Sequence, residues 1–94
     1  MSKYLRADVS IAKNIVKLRK GMKLTQEQTV AKLQLMGLNY TRSRYSLIEL
    51  ERLNVPVSML VALKIIFQCE YAAFFEGLDA QLTQSISKAE QDDV

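Results

Sequence analysis

The stretch YTRSRYSLIE, residues 40 to 49, decides how the rest of this chain is read. Thr41 followed by Arg-Ser-Arg has the pattern of a helix start, since a threonine hydroxyl can accept a hydrogen bond from an amide in the first turn. Tyr45 and Ile48 then fall three residues apart, on one face of the helix. Arg42 and Arg44, however, lie in the first turn, where the helix carries partial positive charge and each cation is disfavoured by roughly 0.3 to 1 kcal/mol. Taken alone, two solvated arginines on an exposed face would account for the pattern. The alternative is an anionic partner outside the helix that outweighs the repulsion.

The neighbouring sequence has helical periodicity throughout and no convincing strand, so the expected fold class is all-α. From about Asp8 to Met22, Ile11, Ile15, Leu18 and Met22 recur at offsets of 0, 4, 7 and 11, which is one stripe of a first helix, and Gly21 to Lys23 close it. Thr25 is the expected amino-terminal cap of helix two, with Gln28 placed to complete a capping box. Val30 and Leu33 are its buried positions, and Gly37 suits the left-handed conformation that ends helices. Thr41 caps helix three, whose inward residues are Tyr45, Ile48 and Leu53. After the break at Pro56, Ser58 is the expected cap of helix four, and Met59, Leu60, Leu63, Ile66 and Phe67 make that helix apolar around most of its circumference. A short fifth helix, about Tyr71 to Glu76, is expected to give Phe74 and Phe75 to the core and to stop at Gly77.

Composition excludes most catalytic chemistry. The chain has 94 residues, 49% of them apolar and 24% charged, the balance of one globular domain without a bilayer-length apolar run. The start, MSKYLRADVS, has no uninterrupted apolar stretch of the secretory kind, and with the single Cys69 this points to the cytoplasm. There is no histidine, which rules out histidine bases, Ser/His/Asp triads and His-containing zinc sites. Cys69 stands among apolar neighbours, where an inert thiol is expected, and Gly21, Gly37 and Gly77 are too far apart to cradle a phosphate. No enzyme activity, metal, cofactor or membrane partner is expected.

Charge is divided along the chain. Residues 1 to 77 hold twelve Lys/Arg against six Asp/Glu, a balance of +6; residues 78 to 94 hold Lys88 against Asp79, Glu90, Asp92 and Asp93, a balance of −3. A basic body favours an anionic partner, with nucleic acid the first class to consider.

The segments IAKNIVKLRK, LTQEQ, AKL and TRSRYSLIELER, in that order, resemble the Cro/C1-type helix-turn-helix domain of phage and bacterial repressors, also called the xenobiotic response element family, over about residues 9 to 76. The resemblance implies a five-helix, lambda repressor-like DNA-binding domain at residues 1–77, followed by an acidic tail at 78–94, partly helical or disordered. It also implies a sequence-specific double-stranded DNA-binding transcriptional regulator, a repressor working as a homodimer, that reads the major groove with the helix starting near Thr41. Arginine can bond guanine O6 and N7 together, discriminating by roughly 1 to 3 kcal/mol, which exceeds the helix-dipole term. By position, Thr25 and Gln26 match phosphate ligands, Arg42 and Ser43 the principal base readers, and Arg44, Ser46 and Leu47 secondary ones, Leu47 for a thymine methyl. Asn39 and Tyr40 would reach the DNA backbone beside Thr41, though packing explains Tyr40 equally well. Arg19 and Glu49 occupy positions that pair in the family and join helix one to helix three.

Several positions depart from the family pattern. Val30 stands where a small residue is usual and Gln34 where glycine is usual, and QLMGLNY lengthens the turn between helices two and three by about five residues. A longer helix two and a looser connection are therefore expected. ELER replaces the usual Glu-Arg-Gly, so the phosphate contact after the glutamate falls on Leu50, which has no donor.

A reading of another class is an antitoxin or phage or plasmid adaptor that binds a protein partner through its tail, where Leu78, Leu82, Ile86 and Ala89 would form a thin apolar stripe if helical. RNA binding is weaker, because no exposed aromatic platform for stacking bases is evident.

Overall fold

Helix ends, more than helix bodies, give this chain its shape. In the computed structural model, which describes residues 10 to 83, the elements are α1 (Ala12–Gly21), α2 (Gln26–Leu35), α3 (Arg42–Glu49), α4 (Val57–Phe67) and α5 (Tyr71–Phe74), and residues 78 to 83 are again helical. No strand occurs among the described residues, in agreement with the all-α expectation. The parts of the tail beyond residue 83, including Ile86 and Ala89, lie outside the described residues.

Two starts follow the sequence closely. Thr25 accepts from the Gln28 amide at 3.0 Å while the Gln28 side chain accepts from the Thr25 amide at 2.9 Å, a complete capping box. Thr41 accepts from the Arg44 amide at 3.1 Å and opens α3. Two other starts differ from expectation. Within the described residues α1 begins at Ala12, whose amide donates to Ser10 Oγ at 3.0 Å. α4 begins at Val57, two residues ahead of what a Ser58 cap requires. Pro56 already has extended ψ and its carbonyl accepts the first helical bond, from Leu60 at 3.1 Å.

The first three helices end in one motif. After α1, α2 and α3 the residues Lys23, Gly37 and Glu51 take positive φ, at 59°, 88° and 65°. In each case the next amide reaches back to the carbonyl of the third residue from the helix end: Leu24 to Arg19 at 3.2 Å, Leu38 to Leu33 at 3.0 Å and Arg52 to Leu47 at 2.8 Å. This motif reverses the chain within two residues and stacks the short helices on one another. Only α2 has the glycine such a bend favours; Lys23 and Glu51 adopt a conformation that costs a side-chain-bearing residue about 1 kcal/mol or more.

The core gathers Ile15 from α1, Leu33 from α2, Tyr45 and Ile48 from α3, Met59 and Leu63 from α4, and Phe74 from α5, all fully buried. Each such side chain stabilises the fold by roughly 1.5 to 3 kcal/mol. α3 packs on both α1 and α2, α4 on α2, and α5 on α1. Asn14 ties the last contact by donating to the Phe74 and Glu76 carbonyls at 2.7 and 3.0 Å. Leu78 is buried too, so packing continues past Gly77.

Three expectations are corrected here. Phe75 is 47% exposed instead of buried, because α5 is one turn long and adjacent residues on a helix point about 100° apart, so only Phe74 can face inward. α4 is not enclosed all round: Val57, Val61 and Ile65, spaced four apart, form an apolar stripe facing solvent. The α2–α3 connection is pinned, not loose. Gln34 Nε2 donates to the Tyr40 carbonyl at 2.8 Å, while Leu38 and Tyr40 pack on the core.

Candidate nucleic-acid interface

α3 presents two faces of different character because Tyr45 and Ile48 anchor it from below. With about 100° per residue, Ser43, Ser46 and Leu47 fall opposite those anchors, and Arg42 and Arg44 flank this ridge on opposite sides. Arg42, Ser43 and Arg44 are exposed, Ser46 is half-buried and Leu47 is 37% exposed. The two arginines therefore point about 160° apart around the axis and cannot converge on one acceptor, which their closeness in sequence does not reveal.

Beneath Arg42 lies a hydrogen-bonded cluster that fixes the angle of α3. Arg19 Nε donates to Glu49 Oε2 at 2.7 Å and Arg19 Nη2 to Oε1 at 3.0 Å, with side chains only 10% and 5% exposed. The remaining guanidinium nitrogen, Nη1, donates to the Leu24 carbonyl at 2.8 Å, which ties the α1–α2 turn into the same unit. Burial works against the charge on Glu49, but the hydrogen bonds from Arg19 and Gln26 and the arginine's charge outweigh it, so the carboxyl titrates below the ordinary glutamate range. The bond to Glu49 likewise holds the Arg19 guanidinium more firmly protonated, against the opposing effect of burial. The expected pair between helix one and helix three is thus present in two-pronged form.

Gln26, expected as a phosphate ligand, has its side chain engaged within the protein. Its Nε2 donates to Glu49 Oε1 at 2.9 Å, so its amide group braces α2 against α3. What remains free for an anion at this end of α2 is its exposed amino-terminal edge beside the Thr25 cap. Tyr40 is half-buried against the core, which favours packing over reach, whereas Asn39 is exposed. Leu50, at the position where a donor is usual, is 61% exposed.

Between the α1–α2 turn and α3 runs an open cleft of about 560 Å³ whose walls include Lys20, Lys23, Thr25, Gln26, Glu27 and Arg42. A smaller recess of about 180 Å³, lined by Gln26, Arg42, Ser43 and Ser46, adjoins the α3 face. Lys20 and Lys23 were not singled out from the sequence: Lys20 is the last residue of IAKNIVKLRK, and Lys23 lies in the turn that follows it. The signal available was the Lys-rich end of α1 immediately before the capped start of α2. Among the described residues no group of three His, Cys, Asp or Glu side chains converges as a metal site would require. No helix among them is long and apolar enough by itself to cross a membrane.

Comparison with protein-family models, with curated proteins and with solved structures finds no match. The reading of the site therefore rests on its own geometry. That geometry is a braced helix with exposed cations, hydroxyls and one apolar tip, next to an exposed helix amino end and two lysines.

Proposed function

We propose that this chain is a sequence-specific double-stranded DNA-binding regulator of the Cro/C1 type, acting as a repressor, with α3 as the element that enters the major groove. The observation that carries this reading is the division of α3. Its inner face is held by Tyr45, Ile48 and the Arg19–Glu49 pair, while Arg42, Ser43, Arg44 and Leu47 are exposed, Ser46 is half-buried beside them, and Arg42 makes only a long surface contact of 3.7 Å with Glu27. A helix locked from below and exposed above suits base reading, because recognition requires that its side chains be delivered at a fixed angle. Lys20, Lys23 and the amino end of α2 are placed to hold phosphate on one side of it. Because Arg42 and Arg44 diverge, each addresses a different base pair or strand, with Arg42 nearer the phosphate-holding cleft.

The working unit in this reading is a homodimer, two recognition helices lying about 34 to 36 Å apart on one face of the duplex. Two surfaces suited to pairing are α5 and the residues that follow it, where Tyr71, Phe75 and Leu82 are exposed. The exposed stripe Val57, Val61 and Ile65 on α4 adds a third apolar surface available for it.

An NMR titration of the labelled protein with a mixed-sequence duplex at low salt tests the reading. Amide shifts should concentrate at residues 25 to 27 and 42 to 47 and fade steeply as salt rises. The absence of shifts there at low salt overturns it.

The same α4 stripe favours a second reading, a protein-binding adaptor or antitoxin. Removing residues 84 to 94, which leaves the buried Leu78 in place, and separately changing Val61→Lys, distinguishes the two: loss of a protein partner with DNA affinity intact supports the adaptor.

A further inference from the structure

Glu27 is an anion on a surface otherwise suited to anions. It lies in the first turn of α2, lines the cleft with Lys20, Lys23 and Arg42, and its Oε1 is 3.7 Å from Arg42 Nη1, with both side chains largely exposed at 75% and 64%. A phosphate at the amino end of α2 would share this cleft with an exposed carboxylate. Arg42, the side chain that best matches a base reader, is already facing an acceptor in the free protein.

We infer that Glu27 is a specificity-determining residue of the interface, an internal acceptor that occupies Arg42 and must be outcompeted by the target duplex. This rests on the DNA-binding reading above. Two physical effects act together. The carboxylate repels phosphate placed non-specifically in the cleft and offsets part of the favourable field of the α2 amino end. It also offers Arg42 one longer, solvent-exposed contact, which a guanine presenting O6 and N7 in the plane of the guanidinium surpasses but a lone phosphate beside a repelling carboxylate does not. Random sequence is penalised more than target sequence, and that difference is specificity obtained by disfavouring the wrong partners.

The bland account of Glu27 is a favourable helix-dipole charge with a weak surface ion pair, worth little to binding. That account predicts a uniform change on every duplex when the charge is removed.

The experiment compares the full chain with Glu27→Gln, Arg42→Ala and the double variant, each titrated against a duplex selected by the wild type and a random duplex of equal length, over a salt series. Thermal unfolding of each variant is recorded so that any change in folded fraction is removed from the comparison. Glu27→Gln should tighten random-duplex binding roughly three- to tenfold, with a salt slope steeper by about one, and tighten selected-duplex binding less. The preference for the selected duplex then falls severalfold, and in the Arg42→Ala background it does not fall further. Equal gains on both duplexes, or the same loss of preference with and without Arg42, overturn the inference while leaving the DNA reading intact. A wild type that prefers no duplex overturns both.

Discussion

Arg19 Nε lies 2.7 Å from Glu49 Oε2, and the same guanidinium reaches Oε1 through Nη2 at 3.0 Å, so α1 and α3 are joined by a buried two-pronged ion pair directly under the surface that carries Arg42. Removing either partner leaves an uncompensated charge in a site that excludes water. Arg19→Leu should cost about 3 kcal/mol or more of folding stability, and the Arg19→Leu/Glu49→Leu double variant should recover much of that loss. Denaturant unfolding of the two single variants and the double variant gives the coupling directly; simple additivity of the single losses would show that the pair is not the organising contact. Both single variants should also lose duplex affinity, although neither side chain is on the surface.

The same pair gives stability a direction with pH. Glu49 titrates below its ordinary value of 4.5 in the folded chain, so the unfolded chain takes up the proton first as pH falls. Its contribution is therefore complete above about pH 5 and is lost progressively below 4.5 as pH passes through the lowered value. Unfolding free energy measured from pH 7 to pH 3 should fall in that window for the wild type and fall less steeply for Glu49→Gln. Parallel curves would remove Glu49 from the account of acid sensitivity.

Tyr45 is fully buried, and its hydroxyl lies close to Arg19 and Glu49 yet meets no partner with hydrogen-bond geometry. Burial, with the nearby Glu49 charge, pushes its phenol well above the usual tyrosine range, so it stays neutral. A buried hydroxyl without a partner contributes no more than an apolar group of the same shape and can contribute less. Tyr45→Phe should accordingly leave stability unchanged or raise it by up to about 1 kcal/mol. A loss greater than that on thermal or denaturant unfolding would mean the hydroxyl is bonded to the ion pair in solution.

Lys23 and Glu51 adopt left-handed backbone, with φ of 59° and 65°, at the ends of α1 and α3. Relief of side-chain strain competes with the greater freedom glycine has in the unfolded chain, and the balance favours glycine by up to about 1 kcal/mol at such positions. Lys23→Gly and Glu51→Gly should each raise the unfolding midpoint in urea, whereas Glu51→Ala should not. A lower midpoint for Glu51→Gly would contradict the helix-end account.

Much of this architecture is legible in residues whose chemistry is local. Thr25 with Gln28, and Thr41, announce their helices because capping uses hydroxyls and amides within three residues. Glu49 and Arg19 were placed by resemblance, and the distances agree with that placement. What escaped the sequence depends on contacts between elements. Nothing local marks Gln26 as a donor to Glu49, or separates Phe74 from Phe75, or shows Val57, Val61 and Ile65 to be the uncovered side of an apolar helix. The left-handed turns at Lys23 and Glu51 were also hidden, since packing imposes them on residues that do not favour them.

The central claim is that the exposed face of α3 reads base sequence, and selection of bound sequences from a random duplex pool, run in parallel for wild type and Arg42→Ala, tests it most directly. The account predicts that the wild type enriches a short palindromic motif and that Arg42→Ala loses information at particular base positions while the rest of the motif survives. A wild type that enriches nothing at moderate salt would contradict it. So would an Arg42→Ala motif indistinguishable from the wild type's.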